Sequence, residues 1–148
     1  MVWGCMSWNG VGRLHRIHGN VTSDYYQKIL KYCAIPSSKH LYPTGKSILM
    51  QDIAPVHVSN ANKKFLQESG VQVLSWPGQS PDLNPIENMW QYLKVQMQGR
   101  QYKNNDELFQ KLSGTWRKVS MDYVHNLIDS MPRRCRMVIS RHGYSTKY

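Results

Sequence analysis

The chain has 148 residues, room for one domain with its own core, and 41% of them are apolar, including five Trp and nine Tyr. Nineteen Lys and Arg against nine Asp and Glu leave a formal charge of +10, which points to a polyanionic partner, nucleic acid before any other. No apolar run approaches the roughly 20 residues that cross a membrane, and three scattered cysteines, Cys5, Cys33 and Cys135, supply neither a disulfide framework nor a zinc knuckle.

The opening "MVWGCMSW" has no basic region of the signal-peptide kind and reads as a strand. "NGVG" makes a tight turn, and "RLHRIHG" reads as a second strand. Thr22 or Ser23 caps a helix to about Cys33, with Tyr26, Ile29, Leu30 and Cys33 on one face. Pro36 is expected to end it, leaving "SSKHLYPTGK" as a loop. "SILMQD" reads as a strand buried on both faces, stopped by Pro55. Ser59 caps a helix to Ser69, with Ala61, Phe65 and Leu66 inward and Gly70 as its stop. "VQVLSW" is another strand. A helix from Pro85 carries Ile86, Met89, Trp90, Leu93 and Met97 at helical spacing. Helices are expected at about 106–118, 121–129 and 132–142.

This order predicts a single α/β domain over 1–148, with an α/β part to about residue 98 and a helical part from about 104.

Few residues stand out as chemistry. Asp52 ends a predicted strand, where α/β sheets place ligands, although Asp is also common in turns such as "DIAP". "SWPGQSPDLNPIENMW" spends three prolines to deliver Glu87 at a helix start. Asn84 suits the N-cap, Pro85 the first helical position and Glu87 the third, close to a capping box. Glu87 and Asp52 could equally hold a divalent metal that prefers oxygen ligands. Asp82 reads as turn-forming. His57, five residues after Asp52, could be a neighbour of the metal, a phosphate contact or an ordinary polar loop residue, and it is not read as a ligand because imidazole suits Mg²⁺ less well than oxygen. The basic tail with Arg133, Arg134 and Arg136, and Lys94 on the helix from Pro85, are candidate phosphate contacts or solvated helix faces.

"MVWGCMSWNGVGRLHRIHG", "MQDIAPVHVSNA", "VLSWPGQSPDLNPIENMWQYLK" and "LIDSMPRRCRMVISRHGYSTKY" together resemble the catalytic domain of Tc/mariner superfamily transposases. The likeness runs through nearly the whole chain. It implies a ribonuclease-H-like fold with a mixed sheet, flanking helices and a helical C-terminal extension. It also implies DNA strand cleavage and transfer with two Mg²⁺ or Mn²⁺ ions on three acids. The second acid maps to Asp52 and the third to Glu87, with positions 53 to 86, 34 residues, between them as in the Tc branch. Ile53 stands where an Asn usually follows the second acid.

By the same resemblance, the first acid and its strand lie ahead of "MVWG". The expectation is therefore an incomplete site and inactivity of this chain alone. Either the sheet is marginal, or the opening hairpin docks directly beside the Asp52 strand. Asp24, the only acid before Asp52, sits on a surface helix and is no obvious substitute. An inactive or domesticated DNA-binding module is the alternative. DNA is the expected partner, a homodimer is possible, no membrane is expected, and the substrate implies a nuclear location.

Overall fold

The computed structural model describes residues 1–78 and 80–148. They group into two compact units, Met1–Cys5 with Gly12–Gln79, and Met6–Val11 with Ser80–Tyr148. The helix bearing Glu87 thus groups with the helices that follow it.

In the first unit, β1 (Val2–Trp3) pairs antiparallel with β4 (His15–Arg16), and β5 (Ile48–Leu49) pairs parallel with β6 (Gln72–Val73). The opening run is not one strand. After Gly4 and Cys5 it changes partner, and β2 (Met6–Ser7) forms a tight hairpin with β3 (Gly10–Val11) in the second unit. Among the described residues the β1–β4 pair and the β5–β6 pair share no ladder. "SILMQD" contributes only two ladder residues, and Ile48 is 53% exposed instead of buried on both faces.

The first unit's core comes from helical periodicity. α1 (Ser23–Ile29) is capped by Thr22, whose side chain accepts the Tyr25 N–H at 3.2 Å. Tyr26, Ile29, Leu30 and Cys33 are all buried, as their spacing requires, together with Ile17, Ala34 and Leu66. The helix does not stop at Pro36. A π turn over Leu30–Ala34 runs into α2 (Ile35–Leu41), so half of the expected loop is helical. Pro36 has no N–H to give the carbonyl four residues back. That carbonyl, Tyr32 O, instead accepts Arg13 Nη1 at 2.7 Å. Ser37 Oγ accepts the Arg13 N–H at 2.9 Å, and a Cβ on Gly12 would fall 2.7 Å from Ser37 Cβ, so only glycine fits there.

α3 (Asn60–Glu68) starts at Ser59, whose hydroxyl accepts the Asn62 N–H at 3.3 Å, and it ends before Gly70, at φ 67°. Its inward polar residue is Asn62, fully buried, whereas Ala61 is exposed.

The second unit is helical. A 3₁₀ turn over Pro81–Leu83 leads into α4 (Ile86–Met97), followed by α5 (Asn105–Arg117), α6 (Met121–Asp129) and α7 (Met131–Ser140). Met89, Leu93, Trp116, Val119, Val124 and Leu127 are buried, and Trp90 stacks on Trp116 at 5.5 Å. Trp8 of the hairpin stacks on His125 of α6 at 4.1 Å, and its carbonyl lies 3.0 Å from His125 Nε2.

Candidate active site

Asp52 lies three residues beyond β5, at the start of a turn that fastens itself. Its Oδ1 accepts the Ala54 N–H at 3.0 Å, the local bond that makes Asp a turn residue. The same oxygen lies 2.6 Å from His57 Nδ1. An ionised carboxylate can only accept, so the shared proton sits on the imidazole. The Asp52 side chain is 57% exposed and that of His57 is 21% exposed. The carboxylate is thus held on one edge, while Oδ2 takes part in neither bond.

His57 is itself wedged in place. Its ring packs on that of Tyr26 at 4.3 Å. The Tyr26 hydroxyl donates to Gln51 Oε1 at 2.6 Å, and Gln51 Nε2 donates to the His57 carbonyl at 3.4 Å. Burial, with the Asp52 charge nearby, pushes the Tyr26 phenol well above its usual range, so it stays a neutral donor. The far end of the turn is tied by Asn62, whose amide donates to the Val56 carbonyl at 2.5 Å. Asn62 was not singled out from sequence. The signal available was a polar residue at the inward spacing three after the Ser59 cap.

Ile53, the departure from the family pattern, is half-exposed. A Cβ on Gly78 would run into its side chain, so the residue after Asp52 packs on the "WPG" turn.

Glu87 is exposed in the first turn of α4. Among the described residues the expected capping box does not form. Pro85 opens the helix and no side chain caps it. Asn84 instead closes the 3₁₀ turn through its N–H to Pro81 O at 3.0 Å, while its carbonyl accepts the Glu87 N–H at 3.1 Å. The Asn cap that does form is at Asn104, whose Oδ1 accepts the Asp106 and Glu107 N–H groups at 3.0 and 2.9 Å.

Asp82 does more than form a turn. It is 8% exposed, and its Oδ2 accepts both the N–H and the hydroxyl of Thr146 at 2.9 Å. Burial pushes its carboxyl up, but the hydrogen bonds from Thr146 and from the turn's own backbone prevail and hold it below the usual range.

Among the basic candidates, Lys94, Arg133 and Arg136 are exposed. Arg134 is not a surface phosphate contact. It is 2% exposed and spends its guanidinium inside the unit, on Ser130 Oγ, Asp82 O and Asn88 Oδ1. With these internal acceptors in reach, a phosphate would have to displace them.

Asp52 in the first unit and Glu87 in the second each expose carboxylate oxygens, the donor type that hard divalent cations prefer. Among the described residues no cluster of three His, Cys, Asp or Glu could hold a metal.

The DDE superfamily endonuclease family matches residues 2–109, and the chain belongs to that family, in its Tc/mariner transposase branch. The chain is 40% identical over its whole length to the transposable element Tc1 transposase of Caenorhabditis elegans, and 36% identical to the Tcb2 transposase of Caenorhabditis briggsae. It spans about half the length of these curated relatives, 54% in each case. Among solved structures, it is similar to the Mos1 mariner paired end complex with Mn, at TM-score 0.86 and 19% identity, covering 99% of this chain and 44% of that one. The catalytic domain of Mos1 mariner transposase follows at TM-score 0.84 and 18% identity, covering 99% and 74%. At that identity the likeness concerns the fold, which is that of the Mos1 catalytic domain, ribonuclease-H-like and mixed α/β.

Proposed function

We propose that this chain carries Asp52 and Glu87 as carboxylate ligands for the divalent metal of a DNA-cleaving and DNA-joining transposase domain. The observation that carries the reading is the Asp52 turn. One carboxylate oxygen is fixed by Ala54 and His57, and the side chain remains more than half exposed. When bound, Mg²⁺ or Mn²⁺ would activate the attacking water or 3′-hydroxyl and stabilise the leaving oxygen. The chain's own residues bind and orient. Asp52 presents oxygen, His57 keeps it from rotating, and Glu87 presents a second carboxylate from the stiff start of α4. Solved structures of Mos1 with Mn and with Mg support the choice of metal, and those of its paired-end and strand transfer complexes support DNA as the partner. A homodimer and a nuclear location complete the proposal.

The resemblance assigns two of its three acids to positions within these 148 residues. Assayed alone, the chain is therefore expected to bind Mn²⁺ and DNA without cutting. The test is calorimetric Mn²⁺ titration of the chain, Asp52→Ala and Glu87→Gln, with linear DNA and Mg²⁺ assayed in parallel. Loss of binding in both variants supports the ligand assignment, and unchanged binding in either overturns it. Cleavage that vanishes in Asp52→Ala would show that the chain is a working enzyme by itself. A second reading, a catalytically silent DNA-binding module, rests on the charge of +10 and on exposed Lys94, Arg133 and Arg136. DNA binding without any Mn²⁺ binding would favour it.

A further inference from the structure

An arginine that is 2% exposed needs a reason, because burying a guanidinium is expensive unless every donor is used. Arg134 of α7 uses all three nitrogens. Nε donates to Ser130 Oγ at 2.7 Å, Nη1 to the Asp82 carbonyl at 2.9 Å, and Nη2 to Asn88 Oδ1 at 2.8 Å. The last two acceptors lie on either side of Glu87, one in the 3₁₀ turn and one at the next residue. Both residues are held a second time, through other atoms. The Tyr123 hydroxyl donates to the Asn88 carbonyl at 3.2 Å, and Thr146 holds the Asp82 carboxylate with two bonds of 2.9 Å. The ring of Tyr148 lies over the guanidinium, 4.7 Å from its carbon.

The prolines explain the need. Pro81 and Pro85 remove two backbone N–H groups from this turn, so it holds more carbonyls than its own donors can serve. A guanidinium has five donors and no acceptor, which is the complement of that deficit.

We propose that Arg134 is a positioning residue for Glu87, and that the C-terminal residues Thr146 and Tyr148 close the clamp from outside. The clamp fixes the backbone ahead of Glu87 and immediately after it, leaving the exposed carboxylate on a rigid base. Its functional half rests on the metal-ligand reading of Glu87.

The test is amide hydrogen exchange resolved by residue on the whole chain and on Arg134→Lys, which keeps the charge but cannot reach three acceptors at once. Amides of residues 86–88 should exchange roughly tenfold faster or more, with those of α5 unchanged, because opening would be local. Unchanged rates at 86–88 would overturn the proposal. So would a uniform rise over all four helices, the signature of a merely structural residue. If Arg134→Lys does not fold, Thr146→Val replaces it. A smaller rise confined to the same turn is expected, and no local rise counts against the clamp. Mn²⁺ titration of Arg134→Lys should show affinity reduced about tenfold, the size of an outer-shell effect. If Glu87→Gln leaves Mn²⁺ binding unchanged, the ligand reading fails by itself, and the exchange pattern still decides the clamp.

Discussion

His57 Nδ1 donates to Asp52 Oδ1 across 2.6 Å, and the same imidazole rests on the Tyr26 ring, so the carboxylate is tied to the buried face of α1. His57→Ala removes that tie without touching the Asp52 turn bond to Ala54. Mn²⁺ affinity should fall by about ten- to a hundredfold, the range for outer partners of a metal ligand. Mn²⁺ should also raise the melting temperature of the parent but not of Asp52→Ala. Calorimetry and thermal melts measure the two effects, and equal Mn²⁺ response in the parent and Asp52→Ala would refute the assignment.

Tyr26 supplies the other end of this brace. Tyr26→Phe keeps the ring against His57 but loses the 2.6 Å bond to Gln51. The expected cost is about 1 kcal/mol of unfolding free energy, the net value of such a bond. Chemical denaturation checks it. A larger loss with the ring in place would mean that Gln51, once released, also frees the His57 turn.

The exposed and buried arginines should separate cleanly. Arg136→Ala should leave stability unchanged and lower the salt slope of DNA binding by about one unit, as for one lost phosphate contact. Arg134→Ala should instead destabilise the fold by about 2 kcal/mol or more, since it strands the Asp82 carbonyl and the Asn88 amide. Binding isotherms at several salt concentrations, with melts beside them, make the comparison.

Asp82 carries a pH signature. Its folded carboxyl is held below the usual range, so its contribution is complete above the unfolded value of about 3.9. It is lost as pH falls from there through the lowered folded value. Acid should therefore release the Thr146 tail below about pH 4. Thr146→Val, which removes one of the two bonds, should flatten the dependence of melting temperature on pH between roughly 2 and 5. Identical curves would place the acid sensitivity elsewhere.

What could be read from sequence was whatever depends on neighbours along the chain. The buried face of α1, the Ser59 cap, the Gly70 stop and the C-terminal helices follow from spacing and local hydrogen bonding. The bond between His57 and Asp52 was not foreseen, although only five residues and one turn separate them. Of the other misses, two involve distant partners and the third a local turn. Arg134 looked like a surface cation because Asp82 and Asn88, its acceptors, lie 52 and 46 residues away. Asn84 looked like a cap because the 3₁₀ turn that uses its N–H was not foreseen. Pro36 looked like a helix end because Arg13, which serves the carbonyl that proline abandons, comes from another strand region.

The π turn at Leu30–Ala34 sets a rule about length instead of composition. It holds one residue more than an α-helical turn would, so everything after it is advanced by about 100° around the helix axis. Deleting any one of those five residues would make the helix regular and swing Ser37 away from the Arg13 N–H that it now accepts. Lys31 in this turn is exposed, and its ammonium lies 5.4 Å from the centre of the Tyr32 ring. What that stretch does not tolerate is a different number of residues, and an alignment that closes the extra position would misplace the whole of α2.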